Sequence, residues 1–265
     1  MILDDMESSP GSTTSLLRTI VGTSLRRLGG WIAVAHFVEL AKAVGLPEAR
    51  TRTALARVKA KGLLESQNRA GTPGYAIAAA AIPMLERGDR RIFQPRSMAA
   101  DDRWCLISYS VPEENRDLRH QLRRRLTWIG CGAVSPALWI CPEYLTAEVE
   151  EILADLGLID NATVFLADVR GPAEVARWWD LASIRATHDA FLAAHADTVA
   201  RTPEEAYRAW IHGLDSWRII PYVDPGLPAR LLPADWPGPR SAARFLDLRD
   251  RVLPRAHAYV AGVTR

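Results

Sequence analysis

The residues 45–62, GLPEARTRTALARVKAKG, carry basic side chains at a spacing that suits binding to a polyanion. On a helix, the basic and small polar residues share one side: Arg50, Thr53, Arg57 and Lys61. The residues that can pack share the other side: Thr51, Leu55, Val58 and Gly62. The outer side has no carboxylate, so it can approach phosphates closely. An arginine on such a surface can reach base edges in the major groove of DNA.

The neighbouring segments can position this helix. Pro47 suits the first helical position and Gly62 suits the residue after the last turn. Trp31–Ala43 has helical periodicity and is separated from the basic helix by a short turn at Val44–Leu46, the spacing of a helix-turn-helix. Leu63–Ala78 predicts two short strands. The residues between those strands are turn formers: Asn68, Arg69, Gly71, Pro73 and Gly74. Together these segments predict a winged helix, whereas the basic helix alone could equally be a solvated amphipathic helix.

The predicted DNA contacts fall into two classes. Arg50, Thr53 and Arg57 are predicted to face the groove, where an arginine can bind guanine O6 and N7. Arg52 and Lys59 lie at the predicted edge of the core and are expected to contact phosphate or fix the helix. The remaining predicted contacts go to the DNA backbone, and they come from Lys61, Arg69, Arg26 and Arg27.

Charge is unevenly distributed along the 265 residues. Residues 1–100 contain 14 Lys and Arg against 8 Asp and Glu, a net charge of +6, and the remainder contains 19 against 23, a net charge of −4. A basic N-terminal part on an acidic remainder is typical of a phosphate-binding module attached to a regulatory body. The N-terminus lacks a signal-peptide pattern and no apolar run is long enough to span a bilayer, so we expect a cytoplasmic protein with no membrane partner.

The chain is predicted to be an α+β multidomain protein. Residues 1–12 are predicted to be a disordered tail, 13–78 the winged helix, and 79–102 a connecting helix and linker. Residues 103–170 have the order β-α-β-β-α-β, which predicts a ferredoxin-like domain. In it, Thr146 is expected to cap a helix. Residues 171–265 are predicted to be mainly helical, with separate helices at Ala173–His188 and Phe191–Thr198. Three scattered cysteines, Cys105, Cys131 and Cys141, indicate buried reduced thiols.

Three stretches resemble one known family. They are RTRTALARV (Arg50–Val58), SVPEENRDLRHQLRRRLTWIGCGAVSPALWICP (Ser110–Pro142) and DPGLPARLLPADWPG (Asp224–Gly238). From about Ser15 onward the chain resembles the PaaX family of bacterial repressors. This resemblance implies a winged helix, a Cas2-like ferredoxin fold and a helical C-terminal domain. It also implies repression of aromatic-acid catabolic genes, relieved by phenylacetyl-CoA or a related aryl-CoA thioester.

The chain departs from the family pattern in two places. The first helix has Gly22-Thr23-Ser24 where family members usually have Gly-Asp-Tyr. The predicted wing runs from Arg69 to Tyr75 with a single arginine, which weakens its positive field.

We expect a homodimer on a palindromic double-stranded DNA operator, because a two-fold dimer presents two recognition helices.

The resemblance also implies an effector site in the C-terminal region. Aromatic side chains there can stack on an acyl ring or adenine, and arginines can pair with coenzyme A phosphates. The predicted effector residues are Arg208, His212, Trp217, Arg218 and Trp236. The alternative is that the prolines stiffen a loop and the tryptophans fill the core.

The sequence does not indicate an enzyme, a cofactor or a metal site. It has no G-x-S-x-G, P-loop or H-E-x-x-H motif. Cas2-type nucleases hold a metal with an aspartate after the first strand, but Tyr109-Ser110 occupies that position here, and a hydroxyl is a poor ligand for Mg²⁺. The alternative function is an acyl-CoA-binding module or small-molecule enzyme with a vestigial winged helix, which would bind DNA weakly and without sequence preference.

Overall fold

The computed structural model describes residues 9–99, 101–169 and 175–265, and it divides into two compact units. The three-stranded unit comprises the described residues through Phe93 together with Phe191–Ile219 and Arg240–Arg265. The four-stranded unit comprises Gln94–Ala190 and Ile220–Pro239. The C-terminal region, predicted as one helical domain over 171–265, contributes segments to both units. The predicted tail, residues 1–12, lies largely outside the described residues.

The three-stranded unit begins with a helix, a short strand and a second helix, and the predicted basic helix follows. Its elements through Phe93 are α1 (Thr13–Ile20), a π-helical turn (Val21–Leu25), β1 (Trp31–Ala33), α2 (Val34–Ala43), α3 (Glu48–Ala60), β2 (Leu64–Arg69), β3 (Thr72–Ile77), a 3₁₀ turn (Ala79–Ala81) and α4 (Ile82–Phe93). The strands form an antiparallel sheet in the order β1-β3-β2. The unit is completed by α9 (Pro203–Trp217) and by α11 (Gly238–Val263) from Arg240 onward.

The prediction of a helix over Trp31–Ala43 is wrong at its start. Trp31, Ile32 and Ala33 form β1, which pairs with Ala76, Tyr75 and Gly74 of β3, and helical backbone begins only at Val34. An apolar run suits either a buried strand or a helix, and the pairing partner lies more than 40 residues away in the sequence. The strand therefore depends on a non-local contact.

The helix α3 begins and ends close to its predicted limits. Pro47 is the N-cap, one residue before the predicted position, with extended backbone (φ −62°, ψ 143°). At the other end Gly62 adopts φ +77°, and the amides of Gly62 and Leu63 donate to the carbonyls of Lys59 and Val58. This left-handed residue with two reverse hydrogen bonds is a Schellman motif, which only glycine forms without steric cost.

The predicted hairpin is present, but its turn is tighter than predicted. Only Ala70 (φ +49°) and Gly71 (φ +82°) form the loop, as in a type I′ turn. Asn68 and Arg69 belong to β2, and Pro73 and Gly74 belong to β3. Pro73 pairs with Asn68 at a position where its nitrogen points away from β2, and β1 does not extend that far, so the missing N–H is tolerated.

The three-stranded unit is held together by an aromatic core and by α1. The rings of Trp217 and Phe245 stack with centroids 4.8 Å apart, and the Trp217 indole donates to the carbonyl of Ile92. The helix α1 packs against both α3 and α9, and α2 does the same. The basic helix therefore rests on two helices that both contact α9.

The four-stranded unit alternates strands and helices. Its elements are β4 (Trp104–Tyr109), a 3₁₀ turn (Glu113–Asn115), α5 (Arg116–Trp128), β5 (Gly132–Ser135), β6 (Leu138–Pro142), a 3₁₀ turn (Glu143–Leu145), α6 (Thr146–Asp155), a 3₁₀ turn (Ile159–Asn161), β7 (Ala162–Ala167), α7 (Val175–Trp178), α8 (Leu181–Ala194) as far as Ala190, α10 (Ile220–Val223) and a 3₁₀ turn (Ala229–Leu231). The antiparallel sheet has the order β5-β6-β4-β7.

Both faces of this sheet are covered, at least in part. One face buries Cys105, Ile107 and Trp139 with side chains of α5 and α6. The other face places Trp104 and Ile140 against a second cluster that includes residues of α7 and α8. Cys105, Cys131 and Cys141 are buried free thiols, as predicted. Cys105 lies directly opposite Cys141, and the hydrogen bond to Cys141 together with burial raises the pKa of the Cys105 thiol.

Two local predictions need correction. Thr146 does not cap α6, because Leu145 occupies the N-cap position and the Thr146 hydroxyl donates to the carbonyl of Glu143 at 2.6 Å. The break predicted between His188 and Phe191 is absent, because α8 runs through both residues. The start of the predicted Ala173–His188 helix lies outside the described residues. Every helix in the described ranges is too short or too polar to cross a bilayer.

Candidate nucleic-acid interface

The two sides of α3 differ as the spacing predicts. Thr51, Leu55 and Val58 are buried, joined by Ala54. Arg50, Thr53 and Arg57 are exposed on the outer side. Gly62, predicted to face inward, is exposed at the C-terminal end, and Lys61 is half-buried. The helix is therefore fixed by a narrow apolar side, and its cationic side faces outward.

Arg50 and Arg57 differ from Arg52, the other arginine of α3, in their ion pairing. Across the described residues, neither has a carboxylate within ion-pair distance. Arg52 forms an ion pair with Glu48 at 2.8 Å, and this contact with Arg52 lowers the pKa of the Glu48 carboxyl. Thr53 donates its hydroxyl to the carbonyl of Ala49, which leaves its oxygen able to accept.

Lys59 and Arg52 are exposed, although the sequence predicts them at the edge of the core. Arg52 directly follows the buried Thr51, and Lys59 directly follows the buried Val58. Each therefore points about 100° away from its buried neighbour around the helix. The Lys59 ammonium donates to the Ser66 hydroxyl of β2 at 3.1 Å, which joins α3 to the hairpin. Ser66 is a contact that sequence reasoning did not identify.

Arg69, at the end of β2, is held in place by a tryptophan. Its guanidinium carbon lies 5.2 Å from the centre of the Trp31 ring, and its Nε donates to Gln67 at 2.9 Å. The Trp31 indole in turn donates to the carbonyl of Gln67. Trp31 can lie here because residue 74 is glycine, since a Cβ on Gly74 would come within 2.5 Å of the ring. The single arginine of the hairpin is thus oriented by a cation–π contact.

Arg26 and Arg27 follow α1 and lie in the same unit. Arg26 forms an ion pair with Asp89 of α4, so a DNA contact would compete with that carboxylate. Arg27 is exposed. Burial, assisted by the charge of Arg27, lowers the pKa of His257 on α11.

The five predicted effector residues are divided between the two units. Trp236 belongs to the four-stranded unit, where its indole donates to Asp224, whereas the other four belong to the three-stranded unit. Trp217 is buried in the aromatic core, and Arg218 is buried beside Asp215. Arg208 and His212 lie one turn apart on α9 and donate to the carbonyls of Ala43 and Val44. The effector role of these residues stays a prediction.

The four-stranded unit presents no arrangement of metal ligands among its described residues. The Tyr109 hydroxyl at the end of β4 donates to the carbonyl of Pro136 at 3.0 Å. No group of three His, Cys, Asp or Glu side chains elsewhere in the described chain is close enough to hold a metal ion. The exposed cations of α3 and Arg69 of the hairpin form a surface whose positive charge suits a polyanion.

Comparisons with known proteins identify one family. Family models match successive parts of the chain: "PaaX-like protein" over residues 12–81, "PaaX protein central Cas2-like domain" over 97–178 and "PaaX-like protein C-terminal domain" over 179–262. The chain is 27% identical to the transcriptional repressor PaaX of Escherichia coli (strain K12), over 95% of this chain and 84% of that protein. Its fold is similar to that of an uncharacterized Mycobacterium tuberculosis protein (TM-score 0.62, 22% identity, 94% of this chain and 99% of that chain). The chain belongs to the PaaX family.

Proposed function

We propose that this protein is a sequence-specific DNA-binding transcriptional repressor. The observation that carries the proposal is the outer side of α3, where Arg50, Thr53 and Arg57 are exposed while the opposite side is packed. The relationship to a transcriptional repressor makes the chain a regulator rather than an enzyme.

In this proposal the N-terminal part is a winged helix. The helices α2 and α3 form the helix-turn-helix, and the β2–β3 hairpin, closed by β1, forms the wing. The order of elements and the sheet order β1-β3-β2 support this assignment. The order β5-β6-β4-β7 with two helices on one face likewise supports a ferredoxin-like fold for the Cas2-like domain.

The contacts divide into base reading and backbone positioning. Arg50 and Arg57, which have no ion-pair partner among the described residues, read base edges together with Thr53, and a bidentate arginine–guanine pair discriminates by about 1–3 kcal/mol. Arg52 and Lys59 contact phosphates from the same helix, as does Lys61 at its end. The remaining phosphate contacts come from Arg69 on the wing and from Arg26 and Arg27 after α1.

The proposal extends to a homodimer and to an effector. A two-fold dimer would present two copies of α3 to a palindromic operator.

An aryl-CoA thioester would relieve repression of aromatic-acid catabolic genes, and the family resemblance supports this. For such a ligand to act, it must bind the DNA-competent and incompetent states with different affinity. Saturating phenylacetyl-CoA is expected to lower the operator affinity, and an unchanged affinity would contradict this part.

The experiment that tests the function starts from a pool of random DNA duplexes. Duplexes retained by the protein are enriched and sequenced, and the enriched duplex is titrated against a scrambled one over a salt series. A repressor is expected to enrich one motif and to bind it at least about 10³-fold more tightly than the scrambled duplex. The logarithm of affinity should fall linearly with the logarithm of salt concentration as counterions return.

A protein with a vestigial winged helix would behave differently. It would bind both duplexes weakly and with the same affinity, and no motif would be enriched. That result would contradict the repressor function and favour an acyl-CoA-binding module or small-molecule enzyme.

A further inference from the structure

The helix α9 presents a row of polar side chains to the helices that support α3. Arg208, His212, Asp215 and Arg218, the last at its C-cap, follow one another at intervals of four, three and three residues, which places them along one side of the helix. Each has a hydrogen-bond partner in α1, in α2 or in the residue directly after α2. We call these four residues the α9 row.

The first half of the α9 row binds the C-terminal end of α2. The Arg208 Nε donates to the carbonyl of Ala43 at 2.6 Å, and the His212 Nε2 donates to the carbonyl of Val44 at 3.1 Å. These carbonyls belong to the last residue of α2 and to its C-cap, where main-chain acceptors lack a partner within the helix. A cation at that end is also favoured by the helix dipole. The next residues, Gly45 and Leu46, are the turn that leads into α3.

The second half of the α9 row binds α1. Asp215 is 1% exposed, and its carboxylate accepts from the Ser15 hydroxyl at 2.6 Å, from the Thr19 hydroxyl at 2.7 Å and from the amide of Gly11 at 2.7 Å. Arg218 balances the negative charge of Asp215. Its Nε donates to Asp215 at 3.3 Å, and its Nη2 donates to the Ser15 hydroxyl at 2.8 Å. A buried carboxylate with this many donors is fully satisfied, so the arrangement is rigid.

We propose that the α9 row positions the recognition helix for DNA without touching the DNA. It holds α1, against which α3 packs, and it holds the end of α2, from which the chain turns into α3. The inference rests on the proposed function and deepens it, because it assigns operator affinity to residues of α9. The hydrogen bonds to Ala43 and Val44 are the part that can be removed without opening the buried core.

The test uses the full-length protein, the enriched duplex and the scrambled duplex. The variants are Arg208→Ala and His212→Ala, with His212→Gln as the conservative partner, because a glutamine amide can still donate to the carbonyl of Val44. Arg240→Ala is the matched control, since it removes an exposed arginine at the start of α11. Thermal unfolding of each variant establishes that it is folded at the assay temperature.

Each alanine variant is expected to bind the enriched duplex about tenfold more weakly, as expected when a hydrogen bond to a charged or partly buried group is lost. The affinity for the scrambled duplex and the salt slope should match the wild-type protein, because no phosphate contact is lost. His212→Gln and Arg240→Ala should bind as the wild-type protein does. Amide exchange at residues 44–50 should be faster in the alanine variants than in the wild-type protein.

Two results would overturn the inference alone. One is wild-type affinity for the enriched duplex in both alanine variants. The other is an equal loss on both duplexes with a salt slope lower by about one, which would make Arg208 a phosphate contact instead. A wild-type protein that enriches no motif would overturn the proposed function, and the inference with it.

Discussion

The arginines proposed to contact DNA differ in the protein contacts that each already makes. Arg52 has Glu48 as a partner, Arg69 has Gln67 and Trp31, and Arg26 has Asp89. Arg50 and Arg57 have no such carboxylate or ring among the described residues. A guanidinium without a partner loses no protein contact when it binds a base, whereas a paired one exchanges one contact for another. This difference favours Arg50 and Arg57 as base readers and the paired residues as phosphate contacts.

His195 is expected to make the stability of the three-stranded unit depend on pH. Burial is the main cause that lowers its pKa below 6.5, and the charges of His212 and Arg244 act in the same direction. Between the folded-state pKa of His195 and about pH 6.5, this histidine binds a proton in the unfolded chain but not in the folded chain. The stability is therefore full above about pH 6.5 and falls as the pH drops toward the folded-state pKa. His257, whose pKa is also lowered, contributes in the same direction.

The variant His195→Gln tests this pH dependence. Its free energy of unfolding should change less between pH 7.5 and pH 5.5 than that of the wild-type protein, with urea unfolding at each pH as the measurement. A variant whose stability falls as steeply as the wild type over that interval would show that His195 is not responsible.

At the scale of elements, the basic helix and the hairpin could be predicted because local signals agree there. The periodicity of Thr51, Leu55 and Val58 defines the packed side of α3, and Gly62 defines its end. The strand β1 could not be predicted, because Trp31–Ala33 pairs with β3 through a contact distant in sequence. The contacts of Arg208 and His212 could not be predicted for the same reason. Their partners are the main-chain carbonyls of Ala43, at the end of α2, and of Val44, its C-cap, and side-chain patterns do not encode such contacts.

The turn of the hairpin offers a test at this scale. Ala70 adopts φ +49°, a left-handed conformation that costs an alanine roughly 1–2 kcal/mol and that asparagine tolerates better. Ala70→Asn creates the Asn-Gly pair preferred in type I′ turns, so it should raise the free energy of unfolding by about 0.5–1 kcal/mol in urea titrations. Gly71→Ala, at φ +82°, should lower it by a similar amount. A destabilising Ala70→Asn would contradict the assigned turn.

At the scale of the whole molecule, the two units are discontinuous along the chain. The stretch Asp224–Gly238, one of the three that resemble the family, lies in the four-stranded unit, although the sequence assigns it to a separate helical domain. Asp224 explains part of this placement. Its carboxylate accepts from the His188 Nε2 at 2.9 Å, the Gly226 amide at 2.9 Å and the Trp236 indole at 3.2 Å. The stretch thereby binds α8 as well as itself.

Removing this carboxylate should destabilise the four-stranded unit. Asp224→Ala leaves three donors without an acceptor, one of them on the buried His188, and should lower the free energy of unfolding by about 2–4 kcal/mol. Asp235→Ala is the matched control in the same stretch. Its carboxylate is exposed and pairs with Arg185, so the loss should stay below about 1 kcal/mol. Equal losses in the two variants, measured by denaturant unfolding, would show that Asp224 does not hold the stretch in place.

The most direct measurement of the central claim compares Arg57→Ala with the wild-type protein on two duplexes, the enriched one and its scrambled version. If the outer side of α3 reads bases, the variant should lose about 1–3 kcal/mol of binding free energy on the enriched duplex and much less on the scrambled one. Arg240→Ala should lose little on either. An equal loss for Arg57→Ala on both duplexes would contradict base reading by α3 and reduce Arg57 to a phosphate contact.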